Sequence, residues 1–175
     1  MRRLRYGVAM SLDGFIAGSN GEYDWIVSDP TIDFAAMFAQ YDTLLMGRKT
    51  FEVASAEGKQ WADFGQRWIV VSRTLRPQDH PNVTILSNGV EEAVAALKAQ
   101  RGKDIWLFGG GMLFRAMLDA ELVDTVEVAV MPVLLGSGVP LLPEGQRRRL
   151  RLEESKVLAS GILMLEYAVM AEPGA

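Results

Sequence analysis

The sequence contains no cysteine and only one histidine among its 175 residues. The absence of cysteine excludes disulfide bonds, thiolate metal ligands and a cysteine nucleophile. The single histidine, His80, lies in the segment Gln78-Asp79-His80-Pro81-Asn82, which is typical of a surface turn. A Ser-His-Asp triad would have to use this residue, and a zinc site would need further ligands. We therefore predict neither a triad nor a metal site.

The sequence also lacks a long hydrophobic run and a positive net charge. Crossing a bilayer takes roughly 20 apolar residues, and Asp13-Gly14 interrupts the apolar stretch that follows the basic N-terminus. The net charge is −4, whereas dedicated nucleic-acid or membrane-surface binders carry a basic face. We expect a cytoplasmic protein that acts on a small molecule and has no nucleic-acid or membrane partner.

The patterns that are present predict a single domain over residues 1–175, with strands and helices in alternation. The predicted strands are Tyr6–Leu12, Thr43–Met46, Arg67–Ser72, Val83–Leu86, Ile105–Phe108 and Thr125–Met131. The predicted helices are Ile32–Tyr41, a short helix after Gly47-Arg48-Lys49-Thr50, Val90–Ala99 and Met112–Leu118. The chain closes with a loop, Pro132–Pro143, and two strands, Arg151–Leu158 and Ile162–Met170. This order predicts an α/β fold: a mixed, mostly parallel sheet with helices on both faces and a C-terminal antiparallel hairpin.

Three consecutive glycines, Gly109-Gly110-Gly111, connect a predicted strand directly to a predicted helix. Glycine lets a phosphate approach the backbone, and a helix N-terminus offers unpaired N–H groups and a positive dipole end. A tight turn with positive φ would explain one glycine, whereas three in a row favour a ligand. Because the G-x-G-x-x-G spacing is absent, the motif predicts a phosphate-binding loop outside the Rossmann fold.

A second strand–glycine–helix segment is Met46-Gly47-Arg48-Lys49-Thr50. It places two cations and a hydroxyl group where a helix begins. In the alternative interpretation, Thr50 is only a helix N-cap and the two cations are only solvated charges. A dinucleotide pyrophosphate needs several donors, so the presence of two such loops favours a dinucleotide site.

The third segment, Ser72-Arg73-Thr74, lies at the end of the strand Arg67–Val71. Sites specific for NAD usually carry an acidic residue at a strand end, whereas an arginine suits a 2′-phosphate. Together with Arg48 and Lys49, this arginine favours NADPH over NADH. The alternative is an ordinary arginine of a surface loop.

These loops, in this order, resemble the dihydrofolate reductase superfamily. The resemblance is closer to the reductase (C-terminal) domain of the bifunctional riboflavin-biosynthesis deaminase/reductase and its stand-alone bacterial relatives. It rests on residues 8–17, 45–52, 69–73, 105–111 and 132–142. Within the first segment, Ser11-Leu12-Asp13-Gly14 is typical of the riboflavin-type branch and atypical of true dihydrofolate reductases.

The resemblance implies a dihydrofolate reductase-like three-layer fold, with NADPH along the strand ends, in a homodimer. It implies roles for a set of residues that share the loops described above. The phosphates and adenosine side would meet Gly47, Arg48, Lys49 and Thr50; the 2′-phosphate would meet Ser72 and Arg73; and Ser87 would lie near the adenine. The pyrophosphate would lie against Gly109, Gly110, Gly111 and Met112, and the nicotinamide between Ala9 and Ile16.

A reductase also needs a proton source, and the candidate from this resemblance is Asp33, at roughly the helix position of the substrate-binding carboxylate in dihydrofolate reductases. Asp13 is the rival, with a turn as its alternative role. Asp29 would serve equally well as a helix cap. We predict Asp33 as the catalytic carboxylate, for binding or for proton relay.

The substrate is the open part of this interpretation. In the riboflavin-type branch it is a ribosylaminopyrimidine phosphate, whose phosphate requires cations on the substrate side. The run Arg147-Arg148-Arg149-Leu150-Arg151 is either such a site or a solvated face. We expect an NADPH-dependent reductase of a pterin-like, ribosylaminopyrimidine-like or other carbonyl or imine substrate. The alternatives are a true dihydrofolate reductase and a nucleotide-binding protein without turnover.

Overall fold

The computed structural model describes residues 1–56 and 65–171, in which strands and helices alternate. The main sheet contains β1 (Leu4–Ser11), β3 (Tyr41–Gly47), β4 (Arg67–Val71), β5 (Thr84–Leu86), β6 (Asp104–Leu107), β7 (Thr125–Met131), β9 (Leu150–Val157) and β10 (Leu163–Val169). A separate two-stranded sheet contains β2 (Phe15–Ala17) and β8 (Val139–Pro140). The α-helices are α1 (Phe34–Phe38), α2 (Arg48–Ala56), α3 (Val90–Ala99) and α4 (Gly111–Asp119). None of these helices has the length and hydropathy needed to cross a bilayer.

The main sheet has the strand order β5-β4-β3-β6-β1-β7-β10-β9. All neighbouring strands from β5 to β7 pair in parallel. The strand β10 pairs antiparallel with both β7 and β9. The predicted mixed, mostly parallel sheet with a C-terminal antiparallel hairpin is therefore confirmed.

Side chains that alternate along the strands enter two hydrophobic clusters. Leu45 of β3 belongs to a cluster that includes side chains of α3 and α4. Its neighbour Leu44 belongs to a second cluster, which includes side chains of α1 and α2. Successive residues of a strand point to opposite faces, so the helices cover both faces of the sheet and produce the expected three layers.

The helix predicted over Ile32–Tyr41 is wrong at both ends, because α1 contains only Phe34–Phe38. The carboxylate of Asp33 caps this helix by accepting a hydrogen bond of 2.9 Å from the backbone N–H of Ala36. Tyr41 instead begins β3, where its ring stacks on Trp106 with 5.1 Å between the ring centroids. Phe38 and Tyr41 belong to the same hydrophobic cluster, although Phe38 lies in α1 and Tyr41 in β3. Because they are three residues apart in the sequence, their spacing is that of two residues on one face of a helix.

Most other predicted elements lie within two residues of the observed ones, and Val90–Ala99 and Thr125–Met131 coincide with α3 and β7. The helix α2 begins directly at Arg48, so Thr50 lies inside its first turn and is not its N-cap. The sequence predicted neither β2 nor its pairing with β8. The strand β8 lies inside the predicted loop Pro132–Pro143.

A buried ion pair joins β1 to β7. The Arg5 guanidinium donates to both carboxylate oxygens of Glu127, over 2.5 and 2.9 Å. The Tyr41 hydroxyl donates to the same carboxylate over 3.3 Å, and the Gln40 side-chain oxygen accepts from Arg5 over 2.8 Å. Because Arg5 is almost completely buried, the charge of Glu127 is its main compensation.

We expect Glu127→Gln to lower the free energy of unfolding by about 2 kcal/mol, since it removes the charged partner of two Arg5 hydrogen bonds and leaves the buried guanidinium with the Asp104 carboxylate, 3.6 Å away. The matched control is Glu154→Gln on the exposed strand β9, with an expected change of about 0.5 kcal/mol or less. Urea unfolding of both variants measures the difference. Equal small losses would show that Arg5 does not depend on Glu127.

The Tyr6 side chain is fully buried and stacks on Phe114, with 3.8 Å between the ring centroids. Its hydroxyl has no hydrogen-bond partner in the described part of the chain, and burial raises the pKa of this group. We expect Tyr6→Phe to raise the free energy of unfolding by about 1 kcal/mol, since it removes an unsatisfied buried hydroxyl. In the control Tyr41→Phe the lost hydroxyl is bonded, so stability should fall. A urea titration that gave both changes the same sign would contradict this reasoning.

Candidate active site

The register of the parallel strands brings the predicted cofactor loops to one edge of the sheet. Gly47 at the end of β3 lies opposite Val71 at the end of β4, and Val71 lies opposite Leu86 at the end of β5. Leu107 at the end of β6 lies opposite Leu45 of β3. The loops that follow these four strands therefore leave the sheet side by side, at its carboxyl edge. In open α/β sheets this is the edge where ligands bind.

At the carboxyl edge, the two glycine loops meet at the side chain of Thr50. A Cβ atom placed on Gly109 would lie 3.6 Å from Thr50 Cγ2, and one on Gly110 would lie 3.7 Å from Thr50 Oγ1. Both glycines have positive φ angles, 129° and 89°. The sequence motifs predicted two phosphate loops, and the fold makes them neighbours.

Gly111 differs from the two glycines before it. A Cβ atom at this position would lie 3.0 Å from the carbonyl oxygen of Pro140 and 3.1 Å from that of Leu141. Close packing of the β8 segment is therefore sufficient to require glycine here. The helix α4 begins at Gly111, and its N-cap residue Gly110 offers no side chain to cap the first-turn N–H groups. Those groups remain available to a ligand.

Basic side chains stand beside these loops. Arg48 forms an ion pair of 2.7 Å with Glu52 one turn along α2, and both side chains are about half exposed. Lys49 and Arg73 are exposed and make no ion pair with the described residues. A protein of negative net charge thus carries unpaired cations at this edge, where a bound phosphate would need them.

Ser72 and Ser87 follow β4 and β5 at the same edge. The Ser72 hydroxyl is buried and accepts hydrogen bonds from the backbone N–H groups of Leu75 and Thr74, over 3.0 and 3.2 Å. It closes the turn that presents Arg73. Ser87 is exposed and accepts a hydrogen bond from the Asn88 side chain. Direct contact of either serine with a cofactor stays a prediction.

The predicted nicotinamide residues lie further along the sheet. Ala9 of β1 lies opposite Ala129 of β7, and both pack in a cluster with the partly buried Trp25 and Ile32. Ile16 is the central residue of β2 and is half-buried. The structure places Met112, at the start of α4, with its side chain largely exposed.

The three aspartates weighed from the sequence all accept backbone hydrogen bonds. Asp33 is exposed and caps α1, and its catalytic role stays a prediction. Asp29 is not a helix cap: it is buried and accepts from the backbone N–H of Ser160 and from Thr31. Hydrogen bonding by Ser160 first, and by Thr31 next, holds its pKa well below the usual range. Asp13 lies in the predicted turn, and it also bonds a second loop.

Two carboxylates that the sequence motifs did not indicate share a sheet face with Ala9. The pairing of β1 with β7 places Gly7 opposite Glu127. This pair lies two residues before the pair of Ala9 and Ala129, and therefore on the same face of the sheet. Glu166 of β10 lies opposite Glu127. Burial and the neighbouring charge of Glu127 raise the pKa of Glu166, against the opposing charges of Arg5 and Arg3.

Comparisons with known proteins agree with this geometry. YyaP of Bacillus subtilis strain 168, a protein of uncharacterised function, is 36% identical over 95% of this chain and 94% of its own length. A crystal structure of a protein from Shewanella sp. PV-4, provisionally assigned to riboflavin biosynthesis, matches with a TM-score of 0.83 and 26% identity, over 98% of this chain and 100% of that one.

The fold also matches a diaminohydroxyphosphoribosylaminopyrimidine deaminase/5-amino-6-(5-phosphoribosylamino)uracil reductase from Thermotoga maritima, with a TM-score of 0.74 and 16% identity. That match covers 97% of this chain and 57% of the longer protein. The family model for the RibD C-terminal domain matches residues 2–164. With nearly the whole chain matched, and with the glycine loops aligned at the carboxyl edge, this protein belongs to the RibD C-terminal domain family.

Proposed function

We propose that this protein is an NADPH-dependent reductase that transfers a hydride to a small carbonyl or imine substrate. The observation that carries the proposal is the meeting of the two glycine loops at Thr50, on the edge where four parallel strands end. The family supports an oxidoreductase of the riboflavin-pathway type. The choice of NADPH rests on this chain's own cations.

The residues at the carboxyl edge fit a dinucleotide phosphate. Gly109 and Gly110 leave free the space beside Thr50 that side chains would otherwise fill. The uncapped start of α4 offers N–H donors, and a helix N-terminus favours an anion. Lys49 and Arg73 supply positive charge without a competing carboxylate among the described residues. Arg73, at the end of β4, is the residue we assign to the 2′-phosphate.

When NADPH is bound, the cofactor supplies the hydride, and the protein orients it and stabilises charge. Ala9 has a small side chain, so a flat ring can approach β1 closely on that face. The proton has two candidate sources in this proposal. Asp33 is the predicted one, and Glu166 is the carboxyl group whose raised pKa suits a proton donor.

The arginine run 147–151 lies away from this edge. It leads into β9, whose first residue Leu150 lies opposite Val169 at the end of β10. The adjacent Ala168 lies opposite Thr125 at the start of β7, so this is the amino edge of the parallel strands. These arginines therefore do not provide a substrate-phosphate site beside the cofactor loops. This placement favours a pterin-like or other unphosphorylated substrate over a ribosylaminopyrimidine phosphate.

A thermal-shift titration with NADPH, with NADH and without cofactor tests the cofactor assignment. We expect stabilisation by NADPH at concentrations where NADH has little effect. Arg73→Glu should weaken NADPH binding at least about tenfold, or about 1.4 kcal/mol, and should change NADH binding much less. The matched control is Arg151→Glu, because Arg151 is exposed and lies at the opposite edge. Equal losses for both cofactors would remove Arg73 from the site.

Turnover is measured separately, as NADPH oxidation at 340 nm with dihydrofolate and then with a riboflavin-pathway pyrimidine. Activity on dihydrofolate alone would identify a dihydrofolate reductase. If NADPH stabilises the protein but neither compound causes NADPH oxidation, the protein either binds the nucleotide without turnover or reduces a different substrate. If neither NADPH nor NADH stabilises the protein, the proposed function is overturned.

A further inference from the structure

The two-stranded sheet that the sequence did not predict joins the two halves of the proposed site. We call β2 and β8, with the turn residues 12–14 and 132–138, the ribbon. Phe15 and Ala17 of β2 pair with Pro140 and Val139 of β8. A hydrogen bond of 2.9 Å runs from the backbone N–H of Leu141 to the carbonyl of Gly14.

One strand of the ribbon carries the predicted nicotinamide contact, and the other reaches the phosphate loop. Ile16 is the central residue of β2. At the other end, the carbonyl oxygens of Pro140 and Leu141 lie against the start of α4, at Gly111. A displacement of the ribbon would therefore alter both the nicotinamide side and the pyrophosphate side of the edge.

Asp13 holds the two turns of the ribbon together. Its carboxylate accepts a hydrogen bond of 2.6 Å from the Ser11 hydroxyl. It also accepts from the backbone N–H groups of Leu135, over 3.1 Å, and Gly136, over 2.7 Å. Ser11 is fully buried and accepts a further hydrogen bond from the backbone N–H of Phe15, which begins β2. One carboxylate thus connects the end of β1, the start of β2 and the turn before β8.

The contacts within the ribbon leave little room for another arrangement. Gly138 has a φ angle of 155°, and a Cβ atom there would collide with the carbonyl oxygen of Ala17. The backbone N–H of Leu12 donates to the carbonyl of Val133 over 2.9 Å. The backbones of the two halves of the ribbon are therefore in direct contact on either side of the Asp13 bonds, at Leu12 and Val133 and again at Ala17 and Gly138.

We propose that Asp13 is the positioning residue of this reductase: it clasps the ribbon shut, and so sets Ile16 and the Pro140–Leu141 carbonyls in the places that hydride transfer requires. This inference rests on the proposed function. Asp13 does not supply the proton. Its carboxylate is occupied as an acceptor from three donors, and these bonds, that from Ser11 first, lower its pKa.

The test compares Asp13→Asn with the matched control Asp79→Asn, whose carboxylate is exposed and pairs only with Arg76 among the described residues. The first measurement needs no cofactor: the hydrogen-exchange rate of the Gly136 and Leu135 amides, followed by NMR. The Asn side chain would present its oxygen to one of the two backbone donors and its N–H groups to the other, so Asp13→Asn should speed exchange about tenfold at one of these two amides. Asp79→Asn should leave both rates unchanged.

The second measurement is NADPH oxidation with the best substrate found for the wild-type protein. We expect Asp13→Asn to lower kcat about tenfold or more, with a smaller change in KM. If Asp13→Asn folds poorly, Ser11→Ala keeps the carboxylate and removes one donor to it, and it should shift exchange and kcat in the same direction by a smaller factor.

The outcomes separate the two proposals. Unchanged exchange at both Gly136 and Leu135 in Asp13→Asn would overturn the clasp, and faster exchange at either amide with wild-type kcat would overturn its role in positioning. Absence of NADPH binding by the wild-type protein would overturn the proposed function, while the exchange rates would still report whether Asp13 holds the ribbon. Faster exchange together with a selective loss of kcat would support both.

Discussion

The parallel register of β3, β4 and β5 is the constraint on which the rest of the site depends. Gly47, Val71 and Leu86 end their strands side by side, and each is followed by a loop that carries predicted cofactor residues. A slip of one residue would turn every side chain of a strand to the opposite face. Leu44 and Leu45 lie in clusters on opposite faces of the sheet, so such a slip would disrupt both layers at once. The hydrophobic core therefore sets the positions of the loops in which phosphate binding is predicted.

Within that edge, neighbouring glycines serve different purposes. Gly109 and Gly110 have positive φ angles, and a Cβ atom placed on either would lie at ordinary van der Waals distance from Thr50. Without that atom, their backbone can approach a ligand. Gly111 is constrained by the carbonyl oxygens of Pro140 and Leu141, and packing alone explains it. A run of three glycines thus combines two positions with positive φ angles, which are the predicted ligand contacts, and one position restricted by packing. Counting glycines in the sequence overstates the first, because the second arises from a loop almost thirty residues further along the chain.

The sequence predicted the elements with long periodic patterns and missed those that depend on distant partners. The strand Thr125–Met131 and the helix Val90–Ala99 have clear patterns of their own and were predicted without error. The helix Ile32–Tyr41 was predicted too long because Tyr41 reaches the cluster of Phe38 from a strand, a coincidence of spacing that local patterns do not resolve. The ribbon was missed because three-residue and two-residue strands form only when they pair with each other. In the same way, the pKa of Glu166 is raised by burial in the folded sheet and by the charge of Glu127 on another strand, neither of which a local sequence pattern shows.

The carboxylates around the site fall into two groups by environment: those that fix loops through hydrogen bonds, and a candidate acid. Asp13 and Asp29 accept hydrogen bonds, Asp13 from Ser11 first and Asp29 from Ser160 and Thr31 first, and these bonds together with those from backbone N–H groups lower their pKa and keep them ionised at neutral pH. A carboxylate in that environment fixes loops and has no proton to donate. Glu166 lies in the opposite environment, partly desolvated and beside the charge of Glu127, and both effects favour its protonated form. The loops that contain Asp13 and Asp29 are thus fixed by ionised carboxylates, whereas the sheet face that carries Ala9 holds a carboxyl group whose pKa is raised. For the proposed reductase, this contrast favours Glu166 over Asp13 and Asp29 as the proton donor, because burial and the charge of Glu127 outweigh the opposing charges of Arg5 and Arg3.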